Sequence, residues 1–356
     1  MKATILKRLD AVVGPLLTRL FWTTRYPDVN TPPKSVLFIR PGGIGDAILL
    51  LPALKAMQTA HPGCRIDILA EQRNAAAFLL IPGIHAVHRY DAPSGLAAVL
   101  RGGYDVVIDT EQWYRLSAII ARSIRAPKTI GFATNERERL FSDPVSYSQQ
   151  EHEACSFFSL LRPLGIEAPK EIALPFITLP ADAVNAAKKL LAPLGGKAFV
   201  AMFPGASIPQ KEWGIDNFRE VASVLAAAGV AVVVVGGPDT RDAGERIAEG
   251  GLALNLAGKG SLLESAALIG EARVLLSGDS GLLHVAAGLG TPTVSLFGPS
   301  DPAKWGPKGE QHQVFNSELP CAPCSRFGTI APCTTELRCM GATVSQVAAA
   351  VMRLWA

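Results

Sequence analysis

A chain of 356 residues has room for two domains of about 150 residues, each with its own core. Apolar residues make up 49% and charged residues 18%, below the roughly 25% of an average soluble protein, which excludes a disordered chain and favours well-covered sheets. The formal charge of +3 is too small for a broadly basic face, so nucleic acid is not expected as a partner.

The charge is uneven. Residues 1–34 hold Lys2, Lys7, Arg8, Arg19, Arg25 and Lys34 against Asp10 and Asp28, a net +4 that leaves the rest of the chain at −1. Within this arm Ile5, Leu6, Leu9, Val12, Val13, Leu16, Leu17, Leu20 and Phe21 fall at helical spacing with basic residues mostly between them. Such a stripe suits either an anionic membrane surface or the flank of the chain's own domain, and Gly14-Pro15 should weaken a continuous helix. Lys7, Arg8 and Asp10 interrupt the apolar run and no small-residue cleavage site follows, so no secretory signal is read and a cytoplasmic protein is expected. A Pro-rich joint, Tyr26 to Pro33, ends the arm.

From residue 35 short apolar runs alternate with helical stretches. VLFIR, RIDILA, DVVID and KTIGF read as strands separated by segments such as AILLLPALKAM and RLSAIIARSI, the punctuation of a parallel sheet. A second series follows, with strands FVAMF, VAVVVV, LALNL, RVLLS and TVSLF. The uncharged run from Val221 to Pro238 is not a membrane span, because Gly229 divides it into the end of a helix and a buried strand. The expected organisation is an arm (1–34), a Rossmann-like domain (35–175), a linker (176–197), a second Rossmann-like domain (198–342) and a C-terminal helix (343–356). Each domain opens with an apolar strand running into a Pro-Gly loop, FIRPGGIGD and MFPGAS. Ligands of open α/β sheets bind beyond the carboxyl ends of the strands, so both loops should face a central cleft.

In PGGIGD, Gly42, Gly43 and Gly45 permit tight turns and leave amide groups free for an anion, although the loop lacks both the P-loop Lys-Ser/Thr and the third glycine of GxGxxG. Asp46 precedes an apolar helix and can be read as its N-cap or as a general base. In GASIPQKEW, Ser207 and Lys211 follow a strand end, and Lys211 is either a phosphate-binding charge or simply solvated. RVLLSGDSGLLHVAAG runs from strand to helix and sets Asp279, Ser280 and Gly281 at a helix N-terminus, where free amides and the helix dipole suit a diphosphate. His284, one turn in, is within reach of such a ligand or is packed.

Taken together, GGIGD, FPGAS with the following Lys-x-Trp, DSGLLH and LFGPSDP, in this order, resemble glycosyltransferase family 9, the heptosyltransferases of lipopolysaccharide core synthesis. The resemblance spans about Val36 to Met352. It implies a GT-B fold, α/β with two Rossmann-like domains, the first for the acceptor and the second for a nucleotide-sugar such as ADP-heptose, and an inverting reaction without a metal or other cofactor. Residue by residue it implies Asp46 as the base, Lys211 as the neutraliser of the donor phosphates, and Ser280, Gly281 and His284 as the counterpart of the family's Asp-Thr-Gly-x-x-His loop, with Ser for Thr. Ser207 and Asp279 fall on the donor side with them, and Asp239 in GGPDTRD matches loosely where an acidic residue meets the ribose. Gly43, Gly45 and Arg115 fall on the acceptor side. VIDTEQWYRLSA resembles the acceptor-side strand and helix, but Glu111 and Trp113 depart from the family pattern. Arg115, Arg137 and Arg139 are candidates for acidic sugars or lipid phosphates, or for a solvated face.

Cys321, Cys324, Cys333 and Cys339 form a CxxC-x8-C-x5-C pattern compatible with a structural zinc, but the spacing is not a standard finger and no metal is assigned. Cys64 and Cys155 read as ordinary buried residues. The combined expectation is a transferase that extends a lipopolysaccharide core or related lipid-linked saccharide, peripheral on the cytoplasmic face of the inner membrane. A nucleotide-sugar epimerase or hydrolase on the same fold, or a non-catalytic nucleotide-sugar binding protein, are the alternatives.

Overall fold

The computed structural model describes residues 3–20, 31–317 and 319–356, the side chains of 3–9 and 20 excepted. Lys2, Phe21, Arg25, Asp28 and the joint from Tyr26 to Asn30 lie outside the described residues, as do the side chains of Ile5, Leu6, Lys7, Arg8, Leu9 and Leu20. The chain divides into two units, Met1–Ile172 and Ala173–Ala356.

The first unit carries helix α1 (Ala3–Leu20) and a six-stranded sheet of β1 (Ser35–Arg40), β2 (Arg65–Ala70), β3 (Ala86–Arg89), β4 (Val106–Asp109), β5 (Lys128–Phe132) and β6 (Asp143–Val145). The strand order is β3-β2-β1-β4-β5-β6 and every pair is parallel. Its helices are α2 (Ile44–Ala60), α3 (Pro93–Arg101), α4 (Arg115–Ser123) and α5 (Glu153–Ser159). Both faces of the sheet are covered, so β1 is an unbroken apolar run, with Val36, Leu37, Phe38 and Ile39 at most 1% exposed.

The second unit repeats the design. Its sheet holds β7 (Phe199–Phe203), β8 (Ala231–Val234), β9 (Leu254–Asn255), β10 (Val274–Gly278), β11 (Thr293–Phe297) and β12 (His312–Asn316), parallel in the order β12-β11-β10-β7-β8-β9. The helices are α6 (Ala181–Leu190), α7 (Ile215–Ala227), α8 (Arg241–Ala248), α9 (Leu262–Glu271), α10 (Gly281–Leu289), α11 (Pro302–Trp305) and α12 (Val344–Trp355), and a small hairpin joins β13 (Ser325–Arg326) to β14 (Thr329–Ile330).

The partition differs from the expected one on either side of the second sheet. The stretch 176–197, expected as a linker, carries α6, which packs on α9, and the amides of Phe176 and Ile177 donate to the Gly288 carbonyl. It is part of the second unit. The C-terminal helix α12 likewise packs on α7, with Val347 and Val351 fully buried in the core that holds Trp213 and Phe218.

In each sheet the chain starts on a central strand, runs outward to one edge and returns to the other side of that strand. The reversal falls between β1 and β4 in the first unit and between β7 and β10 in the second. Loops after adjacent strands diverge at such a reversal and leave a crevice at the carboxyl ends. The loops after β1 and β7 are the two Pro-Gly loops, and those after β4 and β10 begin at Thr110 and Asp279.

The arm forms one helix despite Gly14-Pro15, with Pro15 inside it. It packs against α4, where the Asp10 carboxylate accepts a hydrogen bond from the Leu116 amide at 2.7 Å, and Leu17 joins the unit's core. Val12 and Leu16 face outward, 78% and 63% exposed. Among the described residues no helix is long and apolar enough to cross a membrane.

Candidate active site

The candidate site of the first unit is built on buried charge. Arg40 ends β1 and is 1% exposed. Its Nε donates to the Pro41 carbonyl (2.7 Å), Nη1 to the Thr110 carbonyl (2.8 Å), and Nη2 pairs with Glu111 Oε2 (3.1 Å). One guanidinium thus ties the loop after β1 to the loop after β4. Burial works to lower its pKa, and Asp46, Glu111, Glu153 and Asp109 outweigh it, so Arg40 titrates above the ordinary arginine value.

Asp46 is not the N-cap of α2. Gly43 holds that position with no side-chain cap, and Asp46 lies in the first turn. Its carboxylate is half-buried, with Oδ1 3.4 Å from the Gln112 side-chain amide and Oδ2 3.4 Å from the point where a Cβ on Gly43 would stand. Gln112 is anchored in turn: its Nε2 donates to Glu153 Oε1 (2.6 Å), and Tyr147 donates to Glu153 Oε2 (2.8 Å). Gly42 has φ +114°, and a side chain there would begin 3.2 Å from Arg40 Nη2, so the turn requires glycine.

Two of the three arginines proposed for acidic ligands, Arg115 and Arg137, are occupied elsewhere. Arg137 is fully buried and its Nη2 pairs with Asp109 Oδ2 at 2.6 Å, so it is neither an open ligand site nor a solvated charge. Burial raises the pKa of Asp109, and the Arg137 guanidinium opposes that shift. Arg115 sits under α1, with Nη2 donating to Asn135 Oδ1 (2.6 Å) and lying 3.7 Å from Glu136. Gly45 lies beside Asp46 at the start of α2.

The candidate site of the second unit stands at the reversal between β7 and β10. Lys211 follows the Pro-Gly loop in a short helical turn, Pro209–Lys211, whose backbone presses against Gly278 at the end of β10. Its Nζ lies 2.5 Å from Asp279 Oδ2, with side chains only 17% and 8% exposed. Burial works to raise the Asp279 pKa; the Lys211 ammonium, the His284 imidazole and hydrogen bonds from Lys211 and Ser300 outweigh it and hold the carboxyl below its usual range. His284 Nε2 is 4.0 Å from Asp279 Oδ1.

Ser280 is the N-cap of α10, its hydroxyl accepting from the Leu283 amide and sharing a hydrogen bond with Ser277 (2.8 Å). The hydroxyl is thereby committed to the fold, and the first-turn amides of Gly281 and Leu282 have no intrahelical acceptor. Ser207 and Asp239 are exposed on the loops after β7 and β8. Those loops meet closely, because a Cβ on Gly205 would stand 2.5 Å from Thr240 Cγ2 and one on Gly236 would stand 2.3 Å from Thr240 Oγ1.

Sequence reading missed Arg40, Gln112, Glu153 and Tyr147 in the first unit and Ser300 in the second. Arg40 carried a signal, as a charge closing an apolar strand; the others come together only through folding. Cys321 and Cys333 both lie near Thr335 Oγ1, at 3.9 and 3.7 Å, but among the described residues no group of three or more metal-ligating side chains is assembled. Cys64 and Cys155 are half-buried rather than buried.

The model of glycosyltransferase family 9 (heptosyltransferase) matches residues 95–334. Lipooligosaccharide heptosyltransferase 2 of Haemophilus influenzae is 25% identical over 307 residues, covering 79% of this chain and 88% of that protein. The fold is similar to a crystal structure of a glycosyl transferase family 9 protein from Veillonella parvula, with TM-score 0.76 and 21% identity over 93% of this chain and 99% of that one. It is also similar to an E. coli heptosyltransferase WaaC structure with ADP-2-deoxy-2-fluoro heptose, with TM-score 0.68 and 20% identity over 90% and 99% of the two chains.

The Lys211–Asp279 pair carries a pH signature. A carboxyl whose folded pKa is depressed contributes stability above its unfolded value, near 3.8 here, and loses it as pH falls through the folded value. Lys211→Met leaves Asp279 buried and unpaired. The denaturation midpoint of the variant should fall furthest below wild type at neutral pH, and the gap should close on acidification to below 3.8.

Proposed function

The chain belongs to glycosyltransferase family 9, and on that premise we propose that it moves a heptose from ADP-heptose onto a lipopolysaccharide core or related lipid-linked saccharide, with inversion at the anomeric carbon. The observation that carries the reading is the Lys211–Asp279 pair beside the N-terminus of α10 at the strand reversal of the second unit. A lysine held there by a carboxylate is positioned for a diphosphate, which would share Nζ with Asp279 and take the free amides that begin at Gly281. His284, Ser207 and Asp239 would complete the donor side, Asp239 at the ribose.

In the first unit Asp46 acts as the base, with the Gly43 and Gly45 loop on the acceptor side. The acceptor oxygen attacks the anomeric carbon as its proton passes to the Asp46 carboxylate, and the bond from that carbon to the diphosphate oxygen breaks with its electron pair leaving on ADP. Lys211 and the α10 amides offset the charge that develops on the departing diphosphate. The Gln112 amide, fixed by Glu153, aims the carboxylate. A single base suffices for inversion in one displacement.

The exposed Val12 and Leu16 with Arg19 on α1 favour a position on the cytoplasmic face of the inner membrane, beside a lipid-anchored acceptor. Co-sedimentation with anionic vesicles tests this: the wild type should pellet with the lipid and the joint Val12→Glu and Leu16→Glu variant should stay behind.

Asp46→Asn should lower transfer by at least about 100-fold, the lower bound for loss of a general base, while ADP binding stays at the wild-type level. Product analysis with and without acceptor should give glycosylated acceptor only when acceptor is present. Release of free heptose at equal rate without acceptor, or full transfer by Asp46→Asn, would sink the reading.

A further inference from the structure

The second unit carries a group of thiols that sugar transfer leaves unused. Between β12 and α12 the chain runs through Cys321, Cys324, Cys333 and Cys339, and none of residues 321–338 is buried. This segment is held near both ends on one turn, Gly298-Pro299 after β11. The amides of Cys324 and Ser325 donate to the Pro299 carbonyl at 2.9 and 2.8 Å. At the far end a Cβ on Gly298 would stand 2.5 Å from Met340 Sδ and 3.0 Å from Cys339 Sγ, so only a glycine lets these sulfurs settle there. The loop so anchored brings its two exposed thiols, Cys321 and Cys333, to the same hydroxyl. Thr335 Oγ1 is 3.9 Å from Cys321 Sγ and 3.7 Å from Cys333 Sγ.

The two thiols are not alike. Cys333 Sγ accepts from the Leu337 amide at 3.4 Å, in a loop where Glu336 and Leu337 take left-handed φ values of +50° and +59°. Hydrogen bonds from the Leu337 amide, the Thr335 amide and the Thr335 hydroxyl favour the thiolate and hold the Cys333 thiol below its ordinary range. Burial instead pushes the thiols of Cys64 and Cys339 up. A hydroxyl has one proton to give, so a Thr335 that donates to Cys333 is left to accept from the Cys321 S–H. Cys333 is thereby the nucleophile and Cys321 the thiol beside it. An exposed thiolate with a second thiol one side chain away is the arrangement in which a sulfur is oxidised and then resolved.

We propose that Cys333 and Cys321 form a redox-active pair, in which a hydroperoxide oxidises Cys333 and Cys321 resolves the product to a disulfide. In the first step the Cys333 thiolate attacks the terminal peroxide oxygen. The S–O bond forms, the O–O bond breaks, and the departing oxygen leaves with its electron pair and takes a proton from water. Cys333 is then a sulfenic acid. In the second step the Cys321 sulfur attacks Cys333 Sγ, the S–S bond forms, and the S–O bond breaks with hydroxide leaving to combine with the Cys321 proton as water. Two thiols lose two electrons, and the peroxide is reduced to water, or to water and an alcohol. Closure displaces the shared Thr335 hydroxyl and breaks no core packing, because none of residues 321–338 is buried.

The test uses the full chain, reduced and then treated with hydrogen peroxide at neutral pH, blocked with N-ethylmaleimide and cleaved with trypsin. Arg326 lies between the two cysteines, so the disulfide should appear as a link between the peptides on either side of it, lost on adding dithiothreitol. The link should persist in Cys324→Ser, which leaves Cys321 as the only thiol of its peptide, and vanish in Cys333→Ser. In Cys321→Ser, dimedone should instead trap Cys333 as the sulfenic acid. Without peroxide, iodoacetamide should label Cys333 at least about fivefold faster than Cys64 or Cys155 at pH 7. Equal labelling rates overturn the proposal, as does a peroxide-induced link between other cysteines. A zinc ion that copurifies and shields Cys321 and Cys333 from alkylation overturns it too, since the thiols would then be ligands. No sugar substrate enters the experiment, so its outcome is independent of the transfer reaction.

Discussion

The ion pair between Lys211 and Asp279 is the constraint around which the second unit's site is organised. A lysine on a flexible stem is a poor phosphate ligand until something holds it, and a buried carboxylate is expensive until something neutralises it. Each solves the other's problem at 2.5 Å. The pair also explains why the two loops meet where they do. Gly278 lets the Lys211 backbone approach the end of β10, Ser300 donates to Asp279 from the loop after β11, and Ser280 caps α10 so that its first amides point outward from a fixed helix start. The site needs no unusual backbone, only a sheet whose strand order reverses between β7 and β10.

The first unit applies the same rule with arginine. Arg40 spans the reversal between β1 and β4, and Arg137 ties the turn that follows β5 to Asp109 at the end of β4. Both guanidiniums are almost wholly buried, and both are matched by carboxylates and backbone carbonyls. A fork of donors fits this role better than an ammonium, because it bonds several acceptors in fixed geometry. Their effect is to hold the strand ends rigid where Asp46 and Gln112 must be placed. Each unit therefore fixes a charge at its strand reversal: a lysine beside the start of α10 in one, a carboxylate beside Gln112 in the other.

Much of this was legible in the sequence because parallel, doubly covered strands leave continuous apolar runs. VLFIR, DVVID, FVAMF and RVLLS become β1, β4, β7 and β10, the four strands that carry the site. The strands that escaped notice, β3, β6 and β12, are edges of their sheets, with sequences AVHR, DPV and HQVFN that mix polar residues and a proline into short segments. An edge strand has one neighbour and less burial, so its pattern is weak. Glycine and proline punctuation located the loops with Asp46, Lys211 and Asp279, since a turn's chemistry is local. It could not assign Arg137, which looked like a surface charge beside Arg139 and is held by Asp109, 28 residues earlier. The stretch 176–197 misled for a related reason: its Pro and Gly residues suggested a linker, while the packing of α6 on α9 is a tertiary fact.

The most direct test of the account is a calorimetric titration of ADP into the wild type, Lys211→Met and Asp279→Asn at neutral pH. If Lys211 is the held phosphate ligand, Lys211→Met should weaken ADP by about tenfold or more, the scale of one charged hydrogen bond. Asp279→Asn should also weaken it, because the ammonium loses the partner that fixes its position. ADP binding that is equal in all three proteins would contradict the account, since the pair would then be a structural ion pair with no part in holding the donor.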